Sequence, residues 1–364
     1  MSTVWDGATD HNREATRAST AREPAASTDL PCVSVVIPTC GRPELLARCV
    51  QAVMAQRLPA GQFEIVVVDD GHSEATRVLV KALANEAAEA TEAAEGVRHT
   101  PALRYLRPRK GRGPAVARNT GWQAARGDIV AFTDDDTVPM AGWLAEGLRA
   151  LQGGPCAAVA GRVQVPPREE PPTDHERMTR GLEATEFVTA NAFVRRAALF
   201  QVQGFDERFT RAWREDSDLH FRLQDLAGPV GRCEDAVVVH PVRPERWGVS
   251  LRQQKNAFFE ALLYAKHPQR YRSGAGLPTP WHYYAIVVLA LLALGLFVAD
   301  VMGSALISAV FALALVLRFA ARRLRHTSRR PEHVAEMLLS SAVIPFLSVY
   351  WRLRGALHFR VWFL

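Results

Sequence analysis

The chain has 364 residues and a net charge of +6, and nearly half of its residues are apolar. That is enough for one large domain plus an appendage. Five scattered cysteines without a C-x-x-C pair argue against a disulfide scaffold or a zinc module and fit a reducing compartment. The arginines gather near the apolar C-terminal region rather than along a groove. No nucleic-acid partner is therefore expected, and an anionic lipid surface is favoured instead.

Residues 1–31 are rich in Ala, Thr, Ser and charge and read as a disordered tail, with no apolar stretch suited to a cleavable signal peptide. SVVIP (34–38) is a continuous β-branched run, the pattern of a strand buried on both faces. Pro43 opens a predicted helix, ELLARCVQAVMAQ. EIVVVDDG (64–71) is a second buried strand ending in carboxylates. A helix follows, and its acidic tail NEAAEATEAAEG (85–96) reads as an exposed insertion. LRYLR (103–107) is a third strand. GPAVARNTGWQAARG (113–127) is a helix with Pro in its first turn and Gly past its end, and DIVAF (128–132) is a fourth strand.

Strands alternating with helices predict a doubly wound, mostly parallel α/β sheet, with ligands at the carboxyl ends of the strands. VVIPT, VVVDD and VAFTDDD all end in polar or acidic residues at that edge. Like charges repel, so Asp134, Asp135 and Asp136 require a compensating cation or chemistry. On an extended backbone Asp134 and Asp136 point one way and Asp135 the other. A D-x-D pair of hard oxygen ligands suits Mg²⁺ or Mn²⁺ bridging to substrate phosphates.

Beyond residue 150, CAAVAGRVQV (156–165) and FVTANAFVRR (187–196) read as strands around a Pro-rich loop, and AVVVHP (236–241) as a last strand ending in His240. Residues 281–299 carry no Asp, Glu, Lys or Arg, and neither does VMGSALISAVFALALVL after Asp300. One helix through both would run roughly 50 Å, against a hydrocarbon core of ~30 Å. Two spans with a turn at 300–304 are expected. Lys266, Arg270 and Arg272 precede them and Arg318, Arg322, Arg323 and Arg325 follow, which places both ends in the cytoplasm. VAEMLLSSAVIPFLSVYW (334–351) contains Glu336 and Pro345 and is expected at the interface, amphipathic or re-entrant.

SVVIPT (34–39), VVVDDG (66–71), ARNTG (117–121), FTDDD (132–136), QGFDERF (203–209) and REDSDLHFRL (214–223), in this order and spacing, resemble a family 2 glycosyltransferase of GT-A fold. The resemblance covers about residues 33–241. It implies a nucleotide-diphosphate sugar donor, with Pro38 and Thr39 lining the nucleotide pocket and Asp69 and Asp70 accepting hydrogen bonds from base and ribose. Arg118 would brace the nucleotide, Asp134 would sit near the ribose or the metal, and Asp136 would coordinate a Mg²⁺ or Mn²⁺ ion on the diphosphate. Asp216 would be the general base and Glu215 would orient the acceptor, in a single displacement with inversion. His240 is a candidate for the metal or the diphosphate. Asn191, Trp213 and Trp247 are candidates for the acceptor.

RPERW (243–247) resembles the Q-x-x-R-W signature of processive synthases, but begins with Arg243. With too few spans for a channel, transfer of one or a few sugars to a lipid-linked or cell-envelope glycan is expected. The organisation expected is a tail (1–31), a GT-A domain (32–248), an amphipathic interfacial linker (249–280), a transmembrane hairpin (281–321) and a basic loop with an interfacial C-terminal helix (322–364). Ala and Arg richness points to a GC-rich bacterial genome, hence to the bacterial plasma membrane, multi-pass, with the catalytic domain cytoplasmic. The competing reading is a catalytically silent GT-A-fold membrane scaffold, against which the intact Asp134, Asp136, Glu215 and Asp216 speak.

Overall fold

A computed structural model describes residues 32–93, 100–168 and 170–363. The tail 1–31 and part of the acidic stretch lie outside the described residues; its portion up to Ala93 is helical. In chain order the elements are β1 (Val33–Thr39), α1 (Pro43–Met54), β2 (Phe63–Asp69), α2 (Glu74–Ala93), β3 (Ala102–Leu106), α3 (Pro114–Ala124) and β4 (Ile129–Phe132). Next come β5 (Val138–Pro139), α4 (Trp143–Gln152), β6 (Ala158–Gln164), α5 (Asp174–Thr179), β7 (Ala192–Arg195), α6 (Arg196–Val202), α7 (Glu215–Leu226) and β8 (Val230–Val239). The C-terminal part holds α8 (Val249–Gln253), α9 (Ala257–Lys266), the single turn α10 (Pro268–Arg270), α11 (Trp281–Val298), α12 (Met302–Arg323) and α13 (Pro331–Phe359).

The eight strands form one sheet in the order β3-β2-β1-β4-β7-β6-β8-β5. The first four pair in parallel, with Val36 opposite Val66 and Phe132. β7 runs antiparallel to both β4 and β6. Strands β1, β2 and β4 are buried at every position, which explains their unbroken Val/Ile runs. Two apolar layers cover the sheet. One packs Leu46, Val50, Val53 and Leu151 on Val35, Ile37 and Ile65. The other packs Trp122, Leu199, Leu219 and Leu223 on Val36, Val66 and Val130.

Glycine 121 lets α3 press on the sheet: a Cβ there would sit 2.3 Å from Val36 Cγ1. That approach brings the buried residues Arg118 and Asn119 of the same helix to the sheet's carboxyl edge. Two sequence expectations change here. The FVTANAFVRR strand is shorter, because Thr189–Asn191 form a 3-10 turn. The FTDDD aspartates lie on a turn, closed by Thr137 N donating to Asp134 O at 3.2 Å, not on extended backbone.

Helices α11, α12 and α13 are each long and apolar enough to cross a membrane, by length and composition. The turn between α11 and α12 is shorter than expected, spanning 299–301 with Asp300 at φ 59°. The C-terminal segment is one continuous helix of 29 residues. Pro345 lacks the amide that would bond the Ser341 carbonyl but does not end the helix. Helix α13 lies along α8 and α9. Glu336 accepts from Gly248 N at 2.7 Å, and Gly355 packs on the Phe258 backbone. Its outer face carries exposed Leu339, Val343, Phe346, Tyr350, Leu353 and Leu357, a stripe at helical spacing.

Candidate active site

The carboxyl ends of β1, β2 and β4, the start of α7 and the end of β8 surround one cleft of about 500 Å³. Its floor is a buried ionic strut. Arg118, 3% exposed, donates from Nη2 to Asp134 Oδ1 at 2.8 Å and from Nη1 to Glu215 Oε1 at 3.0 Å. The guanidinium thus ties the end of β4 to the first turn of α7. Burial works against charge on Asp134, yet Arg118 holds its carboxyl below the usual range. Glu215 has the opposite balance. Burial, with Asp216 adding repulsion, raises it to about 8 although Arg118 opposes this. Burial likewise raises Asp216.

Asp216 opens onto the cleft beside Asp70, Asp134 and Asp136. Glu215 Oε2 has no partner among the described residues. Its other oxygen accepts from Arg118, so a proton on Oε2 makes this atom a free donor toward a bound molecule.

The helix that presents this pair is gripped from the C-terminal module. Arg214, immediately before it, is left-handed at φ 73°, an uncommon state for a non-glycine residue. Glu260 of α9 is fully buried. It accepts from Trp213 Nε1 and Arg214 Nε, both at 2.7 Å, and from Tyr271 Oη at 3.0 Å. One turn into α7, Asp218 meets Lys266 Nζ at 2.7 Å, His267 Nε2 at 2.9 Å and Arg222 Nη2 at 2.7 Å. Asn119 secures the preceding loop through Phe205 N and O and Glu207. The ARNTG and QGFDERF blocks are therefore two halves of one contact.

At the other wall, Asp70 Oδ2 accepts from Gly113 N at 2.9 Å while its buried Oδ1 has no partner among the described residues. Gly113 sits at φ 109°, the left-handed region that favours glycine. Asp69 faces away from the cleft. Its oxygens accept from Gly71 N, Ser73 N and Tyr105 Oη and hold the turn after β2. Pro38 and Thr39 line the cleft, with the Thr39 hydroxyl donating to Asp135 at 2.6 Å. Asp135 turns back toward Thr39 and Arg42, and burial raises it to about 6.

Asp136 faces His240, with Nε2 3.6 Å from Oδ1, while Arg243 Nε approaches Oδ2 at 3.0 Å. Among the described residues no group of three or more His, Cys, Asp and Glu could hold a metal ion. A small divalent cation, however, needs only one or two protein ligands when phosphate and water complete its shell. Asp136 with His240 is that minimal set. Asp134 is turned to Arg118 instead.

The structure thus gathers Pro38, Thr39, Asp70, Arg118, Asp134, Asp136, Trp213, Glu215, Asp216 and His240 around one cleft. Asn191 is outside it: Trp143, Arg162 and Ala236 use its amide fully behind the sheet. Trp247 is 53% exposed and does not line the cleft. Sequence reasoning missed Arg42, Arg243 and Glu260. Arg243 had a signal, as the residue that departs from Gln in RPERW, whereas Glu260 had none in an amphipathic stretch.

The Glycosyl transferase family 2 model matches residues 34–214, and the Glycosyl transferase family group 2 model matches residues 129–321. The chain is 26% identical over 235 residues to glycosyltransferase AglE of Haloferax volcanii, covering 62% of this chain and 71% of that protein. It is 29% identical over 252 residues to the pre-mycofactocin glycosyltransferase of Mycobacterium tuberculosis, covering 65% of this chain and 48% of that one. Among solved structures it is similar to the mannosyltransferase PcManGT of Pyrobaculum calidifontis, in complex with GDP-Man and Mn²⁺. There the TM-score is 0.53 and the identity 21%, with 88% of each chain covered.

Proposed function

The chain belongs to glycosyltransferase family 2, and on that premise we propose a membrane-bound, metal-assisted inverting transferase that moves one sugar from a nucleotide-diphosphate donor to a lipid-linked or cell-envelope glycan. The observation that carries this reading is the Asp134–Arg118–Glu215 strut, which fixes Asp216 on the same cleft as Asp70 and Asp136. Asp70, with its unpartnered Oδ1, accepts from the nucleoside. Asp136 and His240 would hold Mg²⁺ or Mn²⁺, and a divalent ion there supplies charge stabilisation for the leaving diphosphate. Arg42 and Arg243, close to Asp136, add positive charge at the same place.

Asp216 takes the proton from the attacking acceptor hydroxyl, and burial, which raises its proton affinity, favours that role. Protonated Glu215 donates from Oε2 to an oxygen of the bound sugar or acceptor. Trp213 walls the acceptor side. The exposed apolar stripe of α13, together with its packing along α8 and α9, supports an interfacial helix beside a membrane-inserted α11–α12 hairpin.

The test is a donor screen on the purified chain in lipid nanodiscs, recording nucleoside diphosphate release from a panel of sugar nucleotides with Mn²⁺ or Mg²⁺. One donor should turn over. Asp216→Asn should lower kcat by about 10²- to 10⁴-fold with donor affinity retained. Turnover undiminished in Asp216→Asn would refute the assigned base, and the absence of donor binding would refute the transferase reading.

A further inference from the structure

A second cavity, of about 210 Å³, lies where α5, the RPERW loop, α8 and α13 meet. It adjoins the cleft through Arg243, which lines both. A buried polar atom without a hydrogen-bond partner is costly and calls for a reason. Among the described residues twelve buried side-chain polar atoms lack a hydrogen-bond partner, one of them, Asp135 Oδ1, being paired instead with Arg42 at 2.8 Å. Four belong to cleft residues: Asp70, Arg118, Glu215 and His240. Four others, His175 Nδ1, Ser250 Oγ, Gln253 Oε1 and His333 Nε2, belong to residues that line this cavity. Ser250 is 5% exposed and His333 8%. The feature that marks the catalytic cleft thus recurs once, beside it.

The charges around the cavity tell which ligand it suits. Its four carboxylates are already engaged: Asp174 by Arg323, Glu176 by Thr173 N, Glu245 by Arg252 and Glu336 by Gly248 N. That leaves no ligand set for a cation. Carboxylates also outnumber the lining arginines, of which Arg243 is engaged by Asp136, and this disfavours an anion. Besides these charged groups the lining offers uncharged or only weakly basic donors and acceptors: a hydroxyl, an amide oxygen and two imidazoles, of which His175 is held toward the neutral form by burial. Val249 and Met337 add apolar wall. At ~30 Å³ per water the space holds several waters or one hydroxylated ring.

We propose that this cavity is a second acceptor subsite, which binds a neutral hydroxyl-rich sugar ring adjoining the one that receives the transferred sugar. The acceptor is then a saccharide of at least two units rather than a single sugar or a bare lipid phosphate. This inference rests on the transferase reading. Helix α13 contributes His333, Glu336 and Met337, so the C-terminal module completes the subsite.

The experiment uses the full chain in nanodiscs free of sugar detergents, with saturation-transfer NMR and calorimetry. The probes are methyl glucoside, methyl mannoside and methyl galactoside against disaccharides of the same sugars. At least one disaccharide should bind tenfold or more tighter than its monosaccharide. Ser250→Ala combined with Gln253→Leu, and separately the cavity-filling Met337→Trp, should each bring that ratio near one. Equal affinities in the wild-type chain, no saccharide binding, or a ratio unchanged in both variants would overturn the subsite. GDP and UDP binding is measured on every sample. A chain that binds a nucleoside diphosphate without disaccharide preference loses the subsite alone, and a wild-type chain that binds neither loses the transferase reading with it.

Discussion

Replacing Glu260 by Gln tests whether the C-terminal module sets the geometry of the proposed base, Asp216. The carboxylate is fully buried and carries bonds from Trp213, Arg214 and Tyr271. The amide keeps its shape but turns one oxygen into a donor and removes the carboxylate charge that the mostly buried Arg214 meets at 2.7 Å. Removing one partner of a buried ion pair costs about 3–5 kcal/mol, against a total stability of roughly 5–15 kcal/mol for a domain. Over most of that range the chain stays folded, and the strain shows first at left-handed Arg214. Asp216 lies two residues further on. A displacement of ~1 Å there lowers kcat about 10²-fold, while donor KM, set at the Asp70 wall, changes little. The assay is nucleoside diphosphate release at saturating acceptor, with thermal unfolding alongside. A variant that melts lower yet keeps kcat within about threefold would refute the positioning role and leave Glu260 a structural residue.

Glu215 gives a pH prediction. Its folded pKa, about 8, is raised above the ordinary 4.5, so the folded chain binds the extra proton between these values. The stability from that proton is fully present below about 4.5 and is lost as pH rises through 8. Ligand-free Glu215→Gln, which mimics the protonated form, should gain in Tm over the wild-type chain as pH climbs and level off above that window; parallel curves would count against it. A third prediction concerns the buried Arg323–Asp174 pair, 2.8 Å apart, with Ser340 and Ser341 on the same guanidinium. Asp174→Asn should destabilise the chain by about 3–5 kcal/mol, and adding Arg323→Met should recover part of that loss in a double-mutant cycle. Additive losses would mean that the pair does not couple the hairpin to α5.

The parallel half of the sheet was legible because β1, β2 and β4 are buried on both faces and write that burial as unbroken apolar runs. The antiparallel half was not. The two-residue β5 and the four-residue β7 pair through long-range register, which leaves no local periodicity. At the site, adjacent residues divided by direction: Asp70 faces the cleft, whereas Asp69 faces the turn it holds. A motif names both and cannot tell them apart. The D-x-D reading drew on extended backbone, but a turn separates Asp134 toward Arg118 from Asp136 toward His240. Asn191 was a candidate for the acceptor, but the sheet's own carbonyls take up its amide nitrogen.

The grip of α9 on α7 bears on where the enzyme can be cut. The sequence suggests a catalytic domain ending near residue 248, and a soluble version would be built by stopping there. Such a fragment would lose Glu260, Lys266 and His267, and with them the Glu260 contact of Arg214 and two of the contacts of Asp218. The charge balance around the first turn of α7, where the proposed base Asp216 sits, would be altered. In this architecture α7 and α9 form a single heritable unit: an exchange of chain between them would part Glu260, Lys266 and His267 from Arg214 and Asp218, whereas one that moved residues 203–271 together would carry the whole clamp across.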